Sequence, residues 1–509
     1  MSTVSEPAAI DLTRLKLGSF TGRPVAVLGL ARSGVALARF LADQGAQVTV
    51  YDGQPAEELR GQLEQLGERR YRALLGPDVN PAEALAGQAL VATSPSVNSR
   101  YPTTEPRLRA ALAALEAEGR VPVVSEVDLF LRLCPALTVG VTGTKGKTTT
   151  SSLSAAVLAA GPVPVHLGGN IGTPLVERLP TMSADQRVVL ELSELQLPTL
   201  SRGTDIAVYT HVSSDHLDRH GSLAAYRRVK QRLAELLLPD GALVLNDEDP
   251  VSRVYGELTV APSVRYSRHE VPAGGVGVEG GWVVADRLQR LARVGGGEAM
   301  AGPGGRILPL DDVPVPGHHN TSNVLAAVCV GLLCGIAPDA IRRAVAGFGG
   351  VEHRLETVAV QDGVRFINDS SGTQPDAVIA ALRAFEPPLV LIAGGRGKDV
   401  ELDELAAEVA QRATATVLIG EVGPQMAELF SRAGAPQVEL APDLPRAVER
   451  AAELARRALR DRAPNADAEA TVLLSPAAAS FDMFPDYAAR GQAFRDAVRR
   501  LAARSGRAG

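Results

Sequence analysis

A glycine-rich segment near residue 140 carries the clearest chemical signal in the sequence. Leu137–Val141 is an apolar run, Gly143–Thr148 reads Gly-Thr-Lys-Gly-Lys-Thr, and Thr149–Ala160 is rich in small residues. A strand, a glycine-rich turn and a helix in this order are typical of a phosphate-binding loop, because backbone N–H groups and a helix N-terminus can surround phosphate oxygens. Lys147 would add a full positive charge, and Thr148 would place a hydroxyl beside Mg²⁺.

The segment departs from the general P-loop spacing at one position. G-x-x-x-x-G-K-[ST] requires glycine at position 141, where this chain has Val141, so the motif is G-x-x-G-K-T from Gly143. The alternative is a turn that needs glycine only for its backbone angles, but such a turn has no use for Lys147 and Thr148. The sequence therefore predicts a site for nucleotide phosphates.

Other polar groups follow apolar strands in the same part of the chain. Arg187–Leu192 is an apolar strand in which Glu191 is unfavourable unless it is paired with an arginine or bound to a metal. The segment His211–Asp218 follows another apolar strand, and its His216 could ligate a divalent ion. Lys230 lies on an amphipathic helix, where a lysine taken alone is expected to be solvated.

The N-terminal part begins as a β-α-β unit. We predict a strand at Pro24–Leu28, a helix at Val35–Gln44 and a second strand at Ala46–Tyr51, closed by Asp52. The intervening turn, Gly29–Gly34, lacks the second glycine of the dinucleotide fingerprint, so both a nucleotide site and a plain crossover remain open.

A third predicted strand, Ala89–Ala92, runs into a polar segment that contains Ser94. In parallel sheets ligands bind beyond the carboxyl ends of strands. Gly29, Asp52 and Ser94 are therefore expected at one edge of the first sheet.

The chain as a whole predicts an α/β protein of three domains. Strands and helices alternate again after Val351, which is typical of a doubly wound sheet. We expect a Rossmann-like domain at 1–125, a central P-loop domain at 126–350 and a second Rossmann-like domain at 351–509. Residues 256–316 are dense in glycine and are interpreted as a small β excursion with flexible loops.

Composition excludes several other classes. The chain has 509 residues and a net charge of −6, which argues against a nucleic-acid-binding surface. Cys134, Cys329 and Cys334 form neither a metal spacing nor a disulfide framework, as expected in a reducing cytoplasm. We find no apolar run of membrane-spanning length and no signal peptide at the start of the sequence.

Together these motifs resemble the Mur ligase family, whose ATP-dependent members add amino acids to the peptidoglycan precursor. The resemblance spans Val25 to Phe494 and is strongest to the members that add D-glutamate to UDP-N-acetylmuramoyl-L-alanine. It implies a monomeric cytoplasmic enzyme that uses ATP, Mg²⁺ at two sites and an acyl phosphate intermediate. The motifs that carry it are Thr142–Thr148, Gly169–Gly172, Asp215–Asp218, His319–Asn323, His353–Glu356, Asn368–Asp369 and Leu474–Pro476.

The resemblance also implies a role for each candidate residue. ATP would be held by Gly143, Thr144, Lys145, Gly146, Lys147, Thr148 and Thr149, with Asn320 and Asn323 at adenine and Arg354 and Asp369 reaching from the third domain. Metal ions would be held by Thr148, Glu191, His216 and a carbamylated Lys230. The UDP-linked substrate would contact Gly29, Leu30, Ala31, Arg32, Asp52, Ser94 and Asn170, and D-glutamate would lie among Thr373, Lys398, Ser480, Phe481 and Tyr487.

The chain departs from the family pattern at several of these motifs. Glu194 adds a carboxylate where the family has serine, and Ser371 replaces a lysine that is expected near the amino acid. Ala31 and Ser96 replace glycines in the UDP-facing loops, and Tyr487 replaces phenylalanine. The loss of a cation at Ser371 would leave more of the amino-acid binding to Lys398.

Three alternatives remain open. A sister Mur ligase would add another amino acid by the same chemistry. A folylpolyglutamate synthase-like enzyme shares the central fold but should lack the N-terminal β-α-β unit. A non-catalytic nucleotide-binding partner would have no need for Lys147, Glu191, His216 and Lys230 together.

Overall fold

The computed structural model describes residues 7–101, 104–213, 221–314, 318–397, 400–461 and 469–505. These residues form two compact units, Met1–Phe348 and Gly349–Gly509. The first unit contains two sheets and the second contains one. The predicted domain boundaries after residues 125 and 350 stay a prediction.

The first sheet is fully parallel, with strand order β3-β2-β1-β4-β5. Two details differ from the sequence interpretation. The strand after Asp52 is β3, whose residues are mostly half-buried or exposed and therefore give no apolar run. Val123–Ser125, where the sequence analysis places no strand, forms β5 of this sheet. The elements are β1 (Pro24–Leu28), α1 (Arg32–Asp43), β2 (Gln47–Asp52), α2 (Arg60–Leu66), β3 (Tyr71–Leu75), α3 (Pro81–Leu85), β4 (Leu90–Thr93), α4 (Pro106–Glu118) and β5 (Val123–Ser125).

The second sheet has the order β14-β13-β12-β11-β10-β9-β6-β8-β7. Its strands β6 to β12 are parallel and β13 and β14 are antiparallel. The elements are α5 (Glu126–Leu133), β6 (Leu137–Thr142), α6 (Lys147–Ala159), β7 (Val165–Gly169), β8 (Arg187–Glu191), β9 (Ile206–Tyr209), α7 (Leu223–Glu235), β10 (Ala242–Asn246), α8 (Pro250–Arg253), β11 (Ser263–Ser267), β12 (Val276–Glu279), β13 (Trp282–Ala285), β14 (Arg306–Pro309), α9 (His318–Leu333) and α10 (Pro338–Ala346).

Residues 256–316 do not form a separate excursion. Strands β11 to β14 pair in sequence onto β10 and extend the second sheet. The small β excursion predicted here is therefore an extension of the central sheet, formed by short strands and glycine turns at its edge.

The third sheet has the order β15-β16-β20-β17-β18-β19, with β15 as an antiparallel edge strand. Apolar side chains pack on both of its faces, as expected for a doubly wound sheet. The elements are β15 (Glu356–Gln361), β16 (Val364–Asn368), α11 (Pro375–Arg383), β17 (Leu389–Gly394), α12 (Asp403–Arg412), β18 (Ala415–Ile419), α13 (Gly423–Arg432), β19 (Val438–Leu440), α14 (Leu444–Arg460), β20 (Ala470–Leu474) and α15 (Tyr487–Ser505).

Short 3₁₀ helices complete the described chain, and none of the helices in the described ranges is long and apolar enough to cross a membrane. The 3₁₀ helices are Leu12–Arg14, Leu17–Phe20, Val176–Thr181, Leu197–Thr199, Val254–Leu258, Ala292–Val294, Pro303–Gly305 and Leu310–Asp312.

The burial pattern explains where the phosphate-binding segment lies. All six residues of β6 are buried, because this strand lies inside the sheet between β8 and β9. The three strands are parallel, so their carboxyl ends meet at one edge. The loops that follow Thr142, Glu191 and Tyr209 are thereby brought together.

Candidate nucleotide and substrate sites

The loop after β6 is shaped by two glycines with positive φ angles. A Cβ atom on Gly143 (φ 150°) would lie 2.0 Å from Thr210 Oγ1. A Cβ atom on Gly146 (φ 86°) would lie 2.6 Å from Asn323 Oδ1. Only glycine fits at these contacts, so the backbone of this loop lies close to its neighbours. The N–H groups of Thr144 and Lys145 both donate to the carbonyl of His211, at 2.6 and 3.4 Å, which ties the loop to the end of β9.

Lys147 is the first residue of α6 and covers the loop. Its Nζ donates to the carbonyl oxygens of Gly143 and Thr144, both at 3.0 Å. The N–H groups of the first helical turn have no partner within the helix, and the helix dipole favours negative charge there. The ammonium group and the helix N-terminus therefore place positive charge at this loop. The binding of phosphates by Gly143 to Thr149 stays a prediction.

Glu191 supplies the opposite charge at the same edge. It lies at the end of β8, where it is the register partner of Val141 on β6. It is 2% exposed, and its Oε1 accepts from Asn170 Nδ2 at 2.8 Å. Its Oε2 is buried without a hydrogen-bond donor among the described residues. A buried carboxylate oxygen of this kind fits a cation. The role of Thr148 as a further oxygen ligand stays a prediction.

The structure gives less information on the other predicted metal ligands. His216 lies outside the described residues. Within the described ranges, no group of three or more His, Cys, Asp or Glu side chains is arranged to hold a metal ion. The metal ligand set stays a prediction.

Lys230 is fully buried, so the interpretation of this lysine as a solvated surface residue was wrong. Its Nζ lies 3.3 Å from Thr142 Oγ1, a side chain at the end of β6. Lys230 lies on the buried face of helix α7, together with Tyr226 and Leu233. The structure therefore brings Lys230 to the phosphate-binding loop.

Tyr226 is a site residue that the sequence reasoning missed. Its hydroxyl lies 3.0 Å from Thr144 Oγ1, and its ring centroid lies 5.4 Å from Lys230 Nζ. Thr144 Oγ1 also accepts from the backbone N–H of Ser213 at 3.0 Å. The available signal was the i,i+4 spacing of Tyr226 and Lys230, which places both side chains on one helix face.

Asn323 contacts the phosphate-binding segment directly. Its Oδ1 accepts from Thr150 Oγ1 at 3.1 Å, and its Nδ2 donates to Asn320 Oδ1 at 3.0 Å. The start of α9 is thereby joined to α6. The contact of both asparagines with adenine stays a prediction.

At the edge of the first sheet, the predicted neighbours do lie together. Asp52 Oδ2 accepts from the N–H of Leu30 at 2.7 Å, and Ser94 Oγ donates to the carbonyl of Gly29 at 3.1 Å. The Leu30 side chain is fully buried, so only its backbone faces the loop. Ala31 and Arg32 are exposed at the start of α1, where an anionic ligand would be favoured.

Glu126 is a buried carboxyl group, under the influence of the charge of Arg32, that the sequence analysis did not single out. It is 4% exposed at the start of α5. Burial raises its pKa to about 7, opposed by a hydrogen bond from the N–H of Val176 and by the charge of Arg32. No motif signals this carboxyl, because acidic residues are ordinary in the first turn of a helix.

In the second unit, Asp369 follows β16 and is buried. Its Oδ2 accepts from Ser475 Oγ at 2.6 Å, and its Oδ1 accepts from the N–H of Leu355 at 3.2 Å. Burial raises the pKa of Asp369 to about 6, against the hydrogen bonds and the nearby charge of Arg354. Since Arg354 and Asp369 belong to the second unit, their approach to ATP stays a prediction.

The residues predicted around the amino acid lie on loops of this second unit. Ser480 is buried, Phe481 is 66% exposed and Tyr487 is 46% exposed. Ser370 Oγ, which is three residues before Thr373, donates to the carbonyl of Tyr487 at 2.7 Å. Lys398 lies outside the described residues.

These features define a class of protein: an α/β nucleotide-binding enzyme with a P-loop on a parallel sheet and a buried carboxylate beside it. Two family models match the chain. The Mur ligase middle domain matches residues 141–331, and the Mur ligase glutamate ligase domain matches residues 353–478.

Two relatives match more than nine-tenths of the chain. UDP-N-acetylmuramoylalanine–D-glutamate ligase of Symbiobacterium thermophilum is 37% identical over 94% of this chain and 98% of its own length. The protein of the same name from Roseiflexus sp. is 38% identical over 92% of this chain and 97% of its own. The chain belongs to the Mur ligase family.

A solved structure shows the same fold. UDP-N-acetylmuramate-alanine ligase of Thermotoga maritima superposes with a TM-score of 0.54 and 19% identity, covering 94% of this chain and 99% of that one. The predicted three-domain α/β architecture is consistent with this arrangement and with the three sheets described above.

Proposed function

We propose that this protein is an ATP-dependent ligase that joins D-glutamate to UDP-N-acetylmuramoyl-L-alanine in peptidoglycan precursor synthesis. The observation that carries the chemistry is Glu191, a buried carboxylate with one unpartnered oxygen beside a P-loop. The substrates follow from the relatives, which carry that name and cover nearly the whole chain.

The reaction has two steps. The carboxylate of the UDP-linked substrate attacks the γ-phosphorus of ATP, forming an acyl phosphate and releasing ADP. The amine of D-glutamate then attacks the acyl carbon, the amide bond forms, and phosphate leaves. Phosphoryl transfer depends on positioned cations more than on a protein nucleophile, and Lys147 with the α6 N-terminus supplies fixed positive charge.

Mg²⁺ fits the oxygen groups at this edge. Thr148 and Glu191 would hold one ion, and His216 with a carbamylated Lys230 would hold a second. When bound, Mg²⁺ neutralises the charge that develops on the transferred phosphoryl group. The full burial of Lys230 and its contact with Thr142 Oγ1 at 3.3 Å support a role for this side chain beside the phosphate-binding loop.

The domain boundaries, the oligomeric state, the location and the remaining binding residues also belong to this proposal. We propose domain boundaries after residues 125 and 350, a monomer and a cytoplasmic location. Gly29 to Arg32, Asp52, Ser94 and Asn170 would seat the UDP-linked substrate, with Arg354 and Asp369 at ATP.

A phosphate-release assay tests the proposal. Release should require ATP, Mg²⁺, UDP-N-acetylmuramoyl-L-alanine and D-glutamate together, and mass spectrometry should find the product heavier by one glutamyl residue. L-glutamate, L-alanine and D-aspartate, tested in parallel, separate the sister ligases. Release with a different amino acid, or nucleotide binding without release, would favour the corresponding alternative.

A further inference from the structure

Arg490 on α15 is a fully buried arginine outside every site considered above. Its side chain is 1% exposed. Its Nε donates to Ser370 Oγ at 3.0 Å and its Nη2 donates to Ser370 O at 3.0 Å. Its Nη1 donates to the carbonyls of Ala478 and Ala479 at 3.2 and 3.3 Å, and Nη2 also reaches Ala478 O at 3.3 Å.

All of these acceptors are neutral. Among the described residues, no carboxylate forms an ion pair with Arg490, although the exposed Asp482 is close enough to oppose the effect of burial. Burial lowers the pKa of Arg490 to about 10, so the guanidinium remains charged at neutral pH. A buried charge without a counter-ion is normally unfavourable, and its positive potential extends to whatever lies on the adjoining surface.

The groups that Arg490 holds belong to the loops of the proposed amino-acid pocket. Ser370 lies three residues before Thr373, and Ala479 directly precedes Ser480. Ala479 also pairs with Arg396, whose N–H donates to Ala479 O at 2.9 Å. A Cβ atom on Gly395 would lie 2.2 Å from Ala479 O and 3.2 Å from Arg490 Nη1. Three chain segments therefore converge on one cation.

We propose that Arg490 is a positioning residue that also makes this pocket selective for an amino acid with a second carboxylate. Its hydrogen bonds fix the loops on which Thr373 and Ser480 lie, and its positive charge, which forms no ion pair within the described residues and is only opposed by Asp482, favours the more anionic substrate. The inference rests on the proposed function, since it assigns the pocket to the incoming amino acid.

The test compares D-glutamate with D-glutamine, a near-isostere that lacks the second charge. We expect Arg490→Met to lower the preference for D-glutamate over D-glutamine, measured as the ratio of kcat/KM values, about tenfold or more. Such a loss corresponds to one charge-assisted interaction. The KM values for ATP and for the UDP-linked substrate should change less than twofold.

Arg490→Lys separates charge from structure. It keeps the positive charge and loses most of the hydrogen bonds, so we expect a lower Tm with a preference within about threefold of the wild-type value. Arg499→Met is the matched control, since Arg499 lies on the same helix with a 70% exposed side chain. Arg499→Met should change neither the Tm nor the preference for D-glutamate over D-glutamine.

Several results would overturn the inference. An unchanged preference in Arg490→Met would do so, as would an equal increase in the KM for ATP. If Arg490→Met does not fold, a tenfold loss of preference in folded Arg490→Lys would exclude a role for the charge. Failure of the proposed function is distinct, because wild-type protein would then release no phosphate in response to D-glutamate.

Discussion

Lys147 and Glu191 place opposite charges at the ends of the adjacent strands β6 and β8. The surroundings of both side chains are better explained by a bound ligand than by contacts within the protein. The Lys147 ammonium contacts only loop carbonyls in the bonds given above, and Glu191 keeps a buried oxygen without a donor in the described part of the chain. An anion and a cation arriving together, as in a metal–nucleotide complex, satisfy both.

Lys147→Ala should abolish ligation and leave the fold intact. The variant loses a point charge on the phosphates, worth about ten- to hundredfold in nucleotide affinity and more in turnover. It removes no core packing, so Tm should stay within about 2 °C of the wild-type value. Phosphate release and a thermal melt measure the two effects, with the exposed Lys16→Ala as the control. Near-normal turnover in the variant would refute the P-loop assignment.

Glu126 should make stability depend on pH. Its pKa in the folded protein, about 7, is above the ordinary value of 4.5, so ionisation of this carboxyl disfavours the folded state. The stability it contributes is fully present below pH 4.5 and is lost as pH rises through 7, a change of roughly 3 kcal/mol. Glu126→Gln should therefore reduce the fall in Tm between pH 5.5 and 8. Parallel pH dependence in the two proteins would contradict the buried, uncharged carboxyl.

Single residues show why parts of the site could not be predicted. Gly143 to Thr148 show their pattern in local spacing, so the sequence alone predicts the turn and the helix that follows it, while the binding of phosphates there stays a prediction. The local sequence around Lys230 is typical of a surface lysine, and only the packing of its helix shows that the side chain is buried. Arg490 has no local signal, because its partner Ser370 lies 120 residues away in the sequence.

At the scale of elements, Gly34 on α1 controls the turn that leaves β1. A Cβ atom there would lie 1.6 Å from Gly29 O. Gly34→Ala should force the Gly29 turn and the helix apart, lowering stability by about 1–3 kcal/mol. The KM for the UDP-linked substrate should rise. The KM for ATP should change little, because the proposed ATP site lies at the second sheet.

The control lies on the next helix. A Cβ atom on Gly61 in α2 would meet nothing within 4 Å, so Gly61→Ala should leave kinetics unchanged and raise stability by up to about 1 kcal/mol. Denaturant unfolding and steady-state kinetics compare the two variants. A harmless Gly34→Ala would show that this turn tolerates displacement.

Predictability of the elements follows their burial. Strands such as β6 and β17 are buried at every position, so an apolar run reveals them. Strand β3 has no such run, and β19 has only three residues, none of them buried. The antiparallel edge strands β14 and β15 were also missed, because pairing at the edge of a sheet depends on distant partners that local patterns do not contain.

For the whole molecule, the second unit has the features of an independent folding unit. Its sheet carries an apolar core on each face. Helix α14 contributes Leu444, Val448 and Ala455 to one of them, and Asp443 caps the helix by accepting from the N–H of Arg446 at 2.8 Å. Arg490 and Asp369 find their described partners within the unit as well.

A fragment covering residues 349–509 should therefore fold alone. We expect native-like circular dichroism and one cooperative thermal transition, because both sheet faces are covered by helices of the same fragment. The fragment should release no phosphate, since Lys147 and Glu191 are absent from it. A matched Phe430→Ala fragment, which loses a fully buried ring, should be less stable by about 3–5 kcal/mol. A non-cooperative melt of the unmodified fragment would show that the second unit depends on the rest of the chain for its stability.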